Sequence, residues 1–149
     1  PLSVVQAVEI SKQLVRLFTD KKIEVIRVGL QNTDEICAPG DKNSEVVAGP
    51  FHPAFGQLVE SSMWYDAILE KIKKLNTKVK EVEVTVNPAD GNNVIGHTRE
   101  NIKKLQELYE LDLIVKQDKN IKQGKSKIEI TKTYNDFLDE NKEENIKKQ

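Results

Sequence analysis

Apolar residues fall at Val4, Ala7, Val8, Leu14, Val15, Leu17 and Phe18, a spacing that predicts a helix from Ser3 to about Asp20. Ser3 and Gln6 stand three apart at its start, the arrangement of a capping box. From Glu24 to Leu30 the period changes to two. Ile26, Val28 and Leu30 share one face, while Val25, Arg27, Gly29 and Gln31 share the other, so a strand is expected. A solvated edge strand has this pattern. So does a β/α-barrel strand with its apolar face under helices and its polar face inward.

Asn32–Ser44 is a long polar loop with turn chemistry at Ala38-Pro39-Gly40-Asp41. A helix of about twenty residues follows from Pro53. Its stripe is Phe55, Leu58, Val59, Met63, Ile68, Leu69, Ile72 and Leu75, the largest apolar surface in the chain and the expected organiser of a core. Glu81–Val86 is β-branched enough for a strand, although its alternation is imperfect around Val79 and Glu81. Pro88–Asn93 reads as a turn. Arg99–Leu108 reads as a helix with Ile102, Leu105 and Leu108 inward. Leu111–Val115 and Ser126–Thr131 read as strands whose Gly-containing connection suggests a hairpin. Asn135–Asn145 is a charged helix with a thin stripe of Phe137, Leu138 and Asn141, and Glu143–Gln149 is a frayed tail. The fold class is therefore α/β or α+β, a small three- to four-stranded sheet covered by helices.

Composition narrows this little. The chain of 149 residues is 38% hydrophobic and 32% charged, with a net charge of −1, which fits a globular protein and favours no polyanion overall. No apolar run approaches the ~20 residues of a membrane span. The single cysteine, Cys37, excludes an internal disulfide, suits a cytoplasmic protein, and cannot by itself hold an iron–sulfur cluster or a Cys-rich zinc site. Asp34 and Glu35 nearby disfavour a thiolate there. There is no nucleophile–base constellation, no His-Glu-x-x-His and no Gly-rich phosphate loop with Lys-Ser/Thr, so catalysis by this chain is not expected.

Two segments carry a resemblance. Val25-Ile26-Arg27-Val28-Gly29-Leu30-Gln31, together with Ala48-Gly49-Pro50-Phe51-His52-Pro53-Ala54-Phe55-Gly56-Gln57-Leu58-Val59-Glu60-Ser61, resembles the end of bacterial radical S-adenosylmethionine (radical SAM) proteins related to the elongator catalytic subunit. These are often labelled oxygen-independent coproporphyrinogen III oxidase. The segment 93–105 belongs to the same resemblance, which extends to about Thr131. It implies that residues 1–46 are the last helix–strand unit of a truncated barrel and residues 47–149 a C-terminal α/β cap over its mouth. The chain would then be non-catalytic in isolation and partnered by a missing N-terminal barrel. That barrel would carry a Cys-x-x-x-Cys-x-x-Cys motif, a [4Fe–4S] cluster and S-adenosylmethionine, the source of a deoxyadenosyl radical. The label implies porphyrinogen decarboxylation and the elongator kinship tRNA-uridine modification, and both stay open.

On this resemblance Arg27 and Gln31 lie near the bound S-adenosylmethionine, since barrel enzymes keep their sites at the C-terminal ends of strands. A guanidinium and an amide suit carboxylate, ribose or adenine. His52 would sit in a loop beside the barrel mouth, as a hydrogen-bond partner or proton shuttle for substrate; otherwise it is a structural residue of a Pro-flanked loop. The start at Pro1, followed at once by a capped helix, also suggests a piece of a larger protein, the alternative being a processed mature chain. A barrel strand cut from its neighbours is expected to be buried in the chain's own sheet or across a homodimer contact.

The other stretch with chemical content is Val94-Ile95-Gly96-His97-Thr98-Arg99-Glu100-Asn101-Ile102-Lys103-Lys104-Leu105, which resembles the heart of a KH domain. The flanking order of elements matches too. In that RNA-binding module an Ile-Gly-x-x-Gly loop lets the backbone approach phosphates at a helix N-terminus. Here Arg99 replaces the second glycine, which removes part of that close approach. Gly96, His97 and Arg99 are the candidate phosphate contacts, and Lys103 and Lys104 could extend them. The surrounding Glu100, Glu107, Glu110 and Asp112 favour the plainer alternative, a turn after Gly96 with Thr98 as the N-cap of an ordinary helix. A domain that docks a protein partner is a third alternative.

Overall fold

A computed structural model describes residues 1–75 and 77–148, without the side chains of 136–141 and 145. The chain divides into two units, residues 1–63 and 64–149. The whole is a mixed α+β protein with one open three-stranded sheet.

The first unit begins with α1 (Val4–Asp20). Its capping box is formed in both directions: Gln6 N donates to Ser3 Oγ, and Ser3 N donates to Gln6 Oε1 at 2.9 Å. One side of α1 buries Val8 and Lys12, the latter paired with Glu9 at 2.9 Å. The opposite side leaves Ile10, Leu14, Leu17 and Phe18 exposed. The helix is therefore apolar on two sides, the mark of an element that is covered on both.

The expected strand at 24–30 does not form. No described residue pairs with this segment, the sheet of the described residues is built later in the chain, and the backbone bends at Val28-Gly29. An isolated extended segment has no ladder to complete, so alternation by itself cannot make it a strand. The face assignment fails as well. Val25 and Val28 are half-buried, whereas Ile26 is 92% and Leu30 68% exposed. The loop at 32–44 closes on itself through Glu45 N to Glu35 O at 2.8 Å and Ser44 Oγ to Cys37 O at 3.0 Å. Helix α2 (Phe55–Lys73) starts two residues later than expected.

The second unit takes residues 64–73 of α2, then β1 (Val79–Val86), α3 (Gly91–Ile95), α4 (Glu100–Tyr109), β2 (Asp112–Gln117), β3 (Ser126–Thr133) and α5 (Tyr134–Lys147). The sheet order is β2-β1-β3. β2 runs parallel to β1, in register Val82 to Leu113 and Val84 to Val115, and β3 runs antiparallel on the other side. The expected β2–β3 hairpin is thus corrected, because β1 lies between the two strands. The connection after β2 is long enough to cross the end of β1, and β1, the most apolar of the three strands, takes the protected centre.

Val82, Val84 and Val86 alternate onto the buried face, and the register shifts between Val79 and Val82. That irregularity lets Val79 join the same face despite its odd spacing, which explains the imperfect alternation of the sequence. Ile68, Leu69, Val94, Leu105, Leu111 and Leu113 complete the core against these valines. The opposite face is polar: Glu81 accepts from Thr131 Oγ1 at 2.7 Å, and Glu83 pairs with Lys116 at 2.7 Å. Leu108, expected inward, is 68% exposed. Helix α4 stops one residue later, and the left-handed Glu110 turns Leu111 into the core instead. The proposed stripe of α5 (Phe137, Leu138, Asn141) lies outside the described side chains.

Candidate functional site

Arg27 and Gln31 come together, although not as a straight strand would bring them. The Arg27 guanidinium donates to Gln31 Oε1 at 2.6 Å, and both side chains are exposed. Gly29 between them has φ +84°. A Cβ there would lie 2.9 Å from Phe55 Cδ1 and 3.2 Å from Phe55 Cβ, so the ring occupies the space a side chain would need. Gly56 repeats the device from the other side, since a Cβ there would lie 2.9 Å from the Val28 carbonyl oxygen. The segments 25–31 and 48–61 are therefore interlocked through two glycines.

His52 stands at the entrance to α2. Its Nδ1 accepts from Ala54 N at 3.1 Å, and its carbonyl accepts from Phe55 N at 3.1 Å. Nδ1 is thus the unprotonated nitrogen, and the ring orders the first turn before the helix. This local hydrogen bond is the structural role weighed for it.

In the second unit, α3 and α4 meet at a compact turn. Gly96 has φ +85°, and a Cβ there would stand 2.9 Å from Asn101 N. Thr98 and Arg99 also have positive φ, 50° and 63°, a conformation costing roughly 1–2 kcal/mol per non-glycine residue. Thr98 is therefore not the N-cap. Arg99 holds that position in left-handed geometry, and neither side chain caps the helix. The turn is held from behind by Asn101, which is 4% exposed and donates through Nδ2 to Val94 O at 3.1 Å and Asn93 O at 3.4 Å. His97 and Arg99 stay exposed, with Arg99 unpaired among the described residues, while Lys104 pairs with Glu100 at 2.6 Å. The sequence reading did not single out Asn101; its small amide at a helical position facing the core was the available signal.

Burial raises the Tyr65 hydroxyl above its ordinary value of 10.0, with Tyr109 and Asp66 adding to the shift. Lys78 and Glu110 pair at 2.9 Å, which raises the ammonium and lowers the carboxyl. Among the described residues, no group of His, Cys, Asp and Glu is arranged to hold a metal ion, and no helix is long and apolar enough to cross a membrane. No family profile, no curated protein and no solved structure matches this chain.

Proposed function

We propose that this chain is the C-terminal portion of a radical SAM protein, in which residues 1–46 complete the β/α barrel and residues 47–149 form the cap over its mouth. The observation that carries the reading is the interlock of Gly29 with Phe55 and of Val28 with Gly56. It joins the two segments on which the resemblance rests and accounts for Gly29 and Gly56. A helix apolar on two sides and an unpaired segment with exposed Ile26 and Leu30 are consistent with a barrel unit whose neighbours are other parts of the protein.

In the barrel, Arg27 and Gln31 would exchange their mutual hydrogen bond for polar groups of S-adenosylmethionine. With one cysteine, this chain does not hold the [4Fe–4S] cluster; residues of the barrel would do so, and the bound pair would supply the radical chemistry. The test is anaerobic preparation of the protein from its full reading frame. A Cys-x-x-x-Cys-x-x-Cys motif upstream, an iron–sulfur signal and cleavage of S-adenosylmethionine are expected, with Arg27→Ala weakening S-adenosylmethionine binding. An upstream frame without that motif overturns the reading.

A second reading is favoured by the order β1-α3-turn-α4-β2 and by the exposed His97 and Arg99 at the turn. Here the second unit is a KH-like module that contacts RNA, and the two readings are compatible if the whole protein acts on tRNA. Binding of single-stranded RNA that weakens steeply with salt is the expected result; no binding at low salt removes this reading.

A further inference from the structure

Residues 116–127, between the body of β2 and that of β3, carry five lysines against one aspartate, in a chain whose net charge is −1. Two of the five are already matched: Lys116 pairs with Glu83 at 2.7 Å and Lys127 with Glu129 at 2.9 Å. The middle three, Lys119, Lys122 and Lys125, are exposed and have no ion-pair partner among the described residues. Asp118, the acidic residue of the stretch, is turned to the loop's own backbone and accepts from Asn120 N at 2.8 Å.

This loop is tied down. Asn87 Nδ2 donates to Ile121 O at 2.9 Å, and Gly124 N donates to Asp90 Oδ2 at 2.7 Å. Asp118 N also donates to Val86 O at 2.9 Å, and the Gln117 amide lies against Gly91. Three unmatched cations are thus held near the start of α3 by partners that are themselves part of the core or its rim. The Gly96–Arg99 turn is at the other end of α3, a helix about 7.5 Å long for its five residues.

We propose that the 118–125 loop is a phosphate-contacting arm for a single-stranded nucleic acid. The inference rests on the nucleic-acid reading of the second unit and adds to it a second set of contacts, Lys119, Lys122 and Lys125. Fixing three like charges on one loop is unfavourable until a polyanion neutralises them, and a phosphate backbone supplies evenly spaced negative charge. The apolar side chain of the stretch, Ile121, is half-buried, so nothing stands ready to enter a lipid surface. No residue of 116–127 is aromatic, so the arm supplies charge contacts to the backbone and no base stacking of its own.

The test is fluorescence anisotropy of the full chain with a labelled mixed-sequence single-stranded oligoribonucleotide, between about 50 and 200 mM salt. Lys119→Gln/Lys122→Gln/Lys125→Gln is expected to weaken binding at least about tenfold at low salt and to reduce the log–log salt slope by about 2, while the triple Arg variant retains binding. Arg99→Gln serves as the probe of the turn. Unchanged binding by the triple Gln variant, with loss in Arg99→Gln, overturns the arm and keeps the turn. Loss in the triple variant with Arg99→Gln unaffected keeps the arm and removes the turn. No RNA binding at about 50 mM salt, or equal binding to phosphatidylserine vesicles, overturns the arm.

Discussion

The Arg27 guanidinium reaches Gln31 Oε1 at 2.6 Å, four residues along the chain. In a strand rising about 3.3 Å per residue their Cα atoms would stand roughly 13 Å apart, near the limit of two extended side chains; here the backbone turns between them instead. It turns at Val28-Gly29, where φ +84° suits glycine and the Phe55 ring fills the missing side chain's place. The pair, the bend and the ring form one local arrangement.

Gly29→Ala is therefore expected to destabilise the first unit more than Gly40→Ala. Both glycines have positive φ, 84° and 96°, so each substitution carries a backbone cost of about 1 kcal/mol. Only Gly29 also meets a neighbour, and the collision with Phe55 should add about 1–2 kcal/mol. Urea unfolding followed in the first unit measures the difference, and equal effects at the two sites would show that the interlock contributes nothing.

What the sequence disclosed follows local physics. The capping box of Ser3 and Gln6 was legible because both partners lie within one turn, and α2 because its stripe runs through several turns. The candidate pair Arg27 and Gln31 was legible as a pair, but its geometry was not, because alternation at 24–30 does not tell a strand with partners from an extended segment without them. Strand order was hidden for a related reason. β2 and β3 are adjacent in sequence, and only the assembled sheet shows that β1 separates them. Thr98 looked like an N-cap by residue type, yet the left-handed backbone at 98 and 99 aims neither hydroxyl nor guanidinium at the helix. Asn101, Asn87 and Asp90 escaped notice because their hydrogen bonds go to backbone groups 7 to 34 residues away.

Asn101→Ala is expected to loosen the α3–α4 turn. The substitution leaves the carbonyls of Val94 and Asn93 without their side-chain donor in a buried setting, at a cost of about 1–3 kcal/mol. Amide exchange should accelerate first at Gly96 and Arg99, whose N–H groups bond to Asn92 and Gly96. Global destabilisation without that local acceleration would mean the amide serves packing only.

The Lys78–Glu110 pair gives a pH signature whose sign can be stated. Lys78, hydrogen-bonded to Glu110, lowers that carboxyl below 4.5, so its contribution is present above 4.5 and is lost as pH falls through the depressed value. Glu110 raises Lys78 above 10.5, so the ammonium's contribution is full below 10.5 and is lost as pH rises through the elevated value. Both groups are exposed, and the effect is expected to be small and to weaken with salt. The urea midpoints of the parent and Glu110→Gln should differ between these limits and converge at low pH. A constant difference would assign the effect to something other than charge.

The exposed apolar side of the first unit makes the last prediction. Ile10, Leu14, Leu17 and Phe18 on α1, with Ile26 and Leu30 beyond it, leave more apolar surface in water than isolated side chains normally do. Because the segment 24–30 does not enter the chain's own sheet, the expectation that remains is coverage by another copy when no other part of a parent protein is present. Light scattering should then report concentration-dependent association of this chain, reduced by Leu14→Glu/Leu17→Glu, with no loss of the second unit's stability. A chain that stays monomeric at every concentration, with residues 23–31 protected from exchange, rules out the homodimer. In that case the two-sided apolar character of α1 is satisfied within the first unit, and the case for a missing neighbour weakens with it.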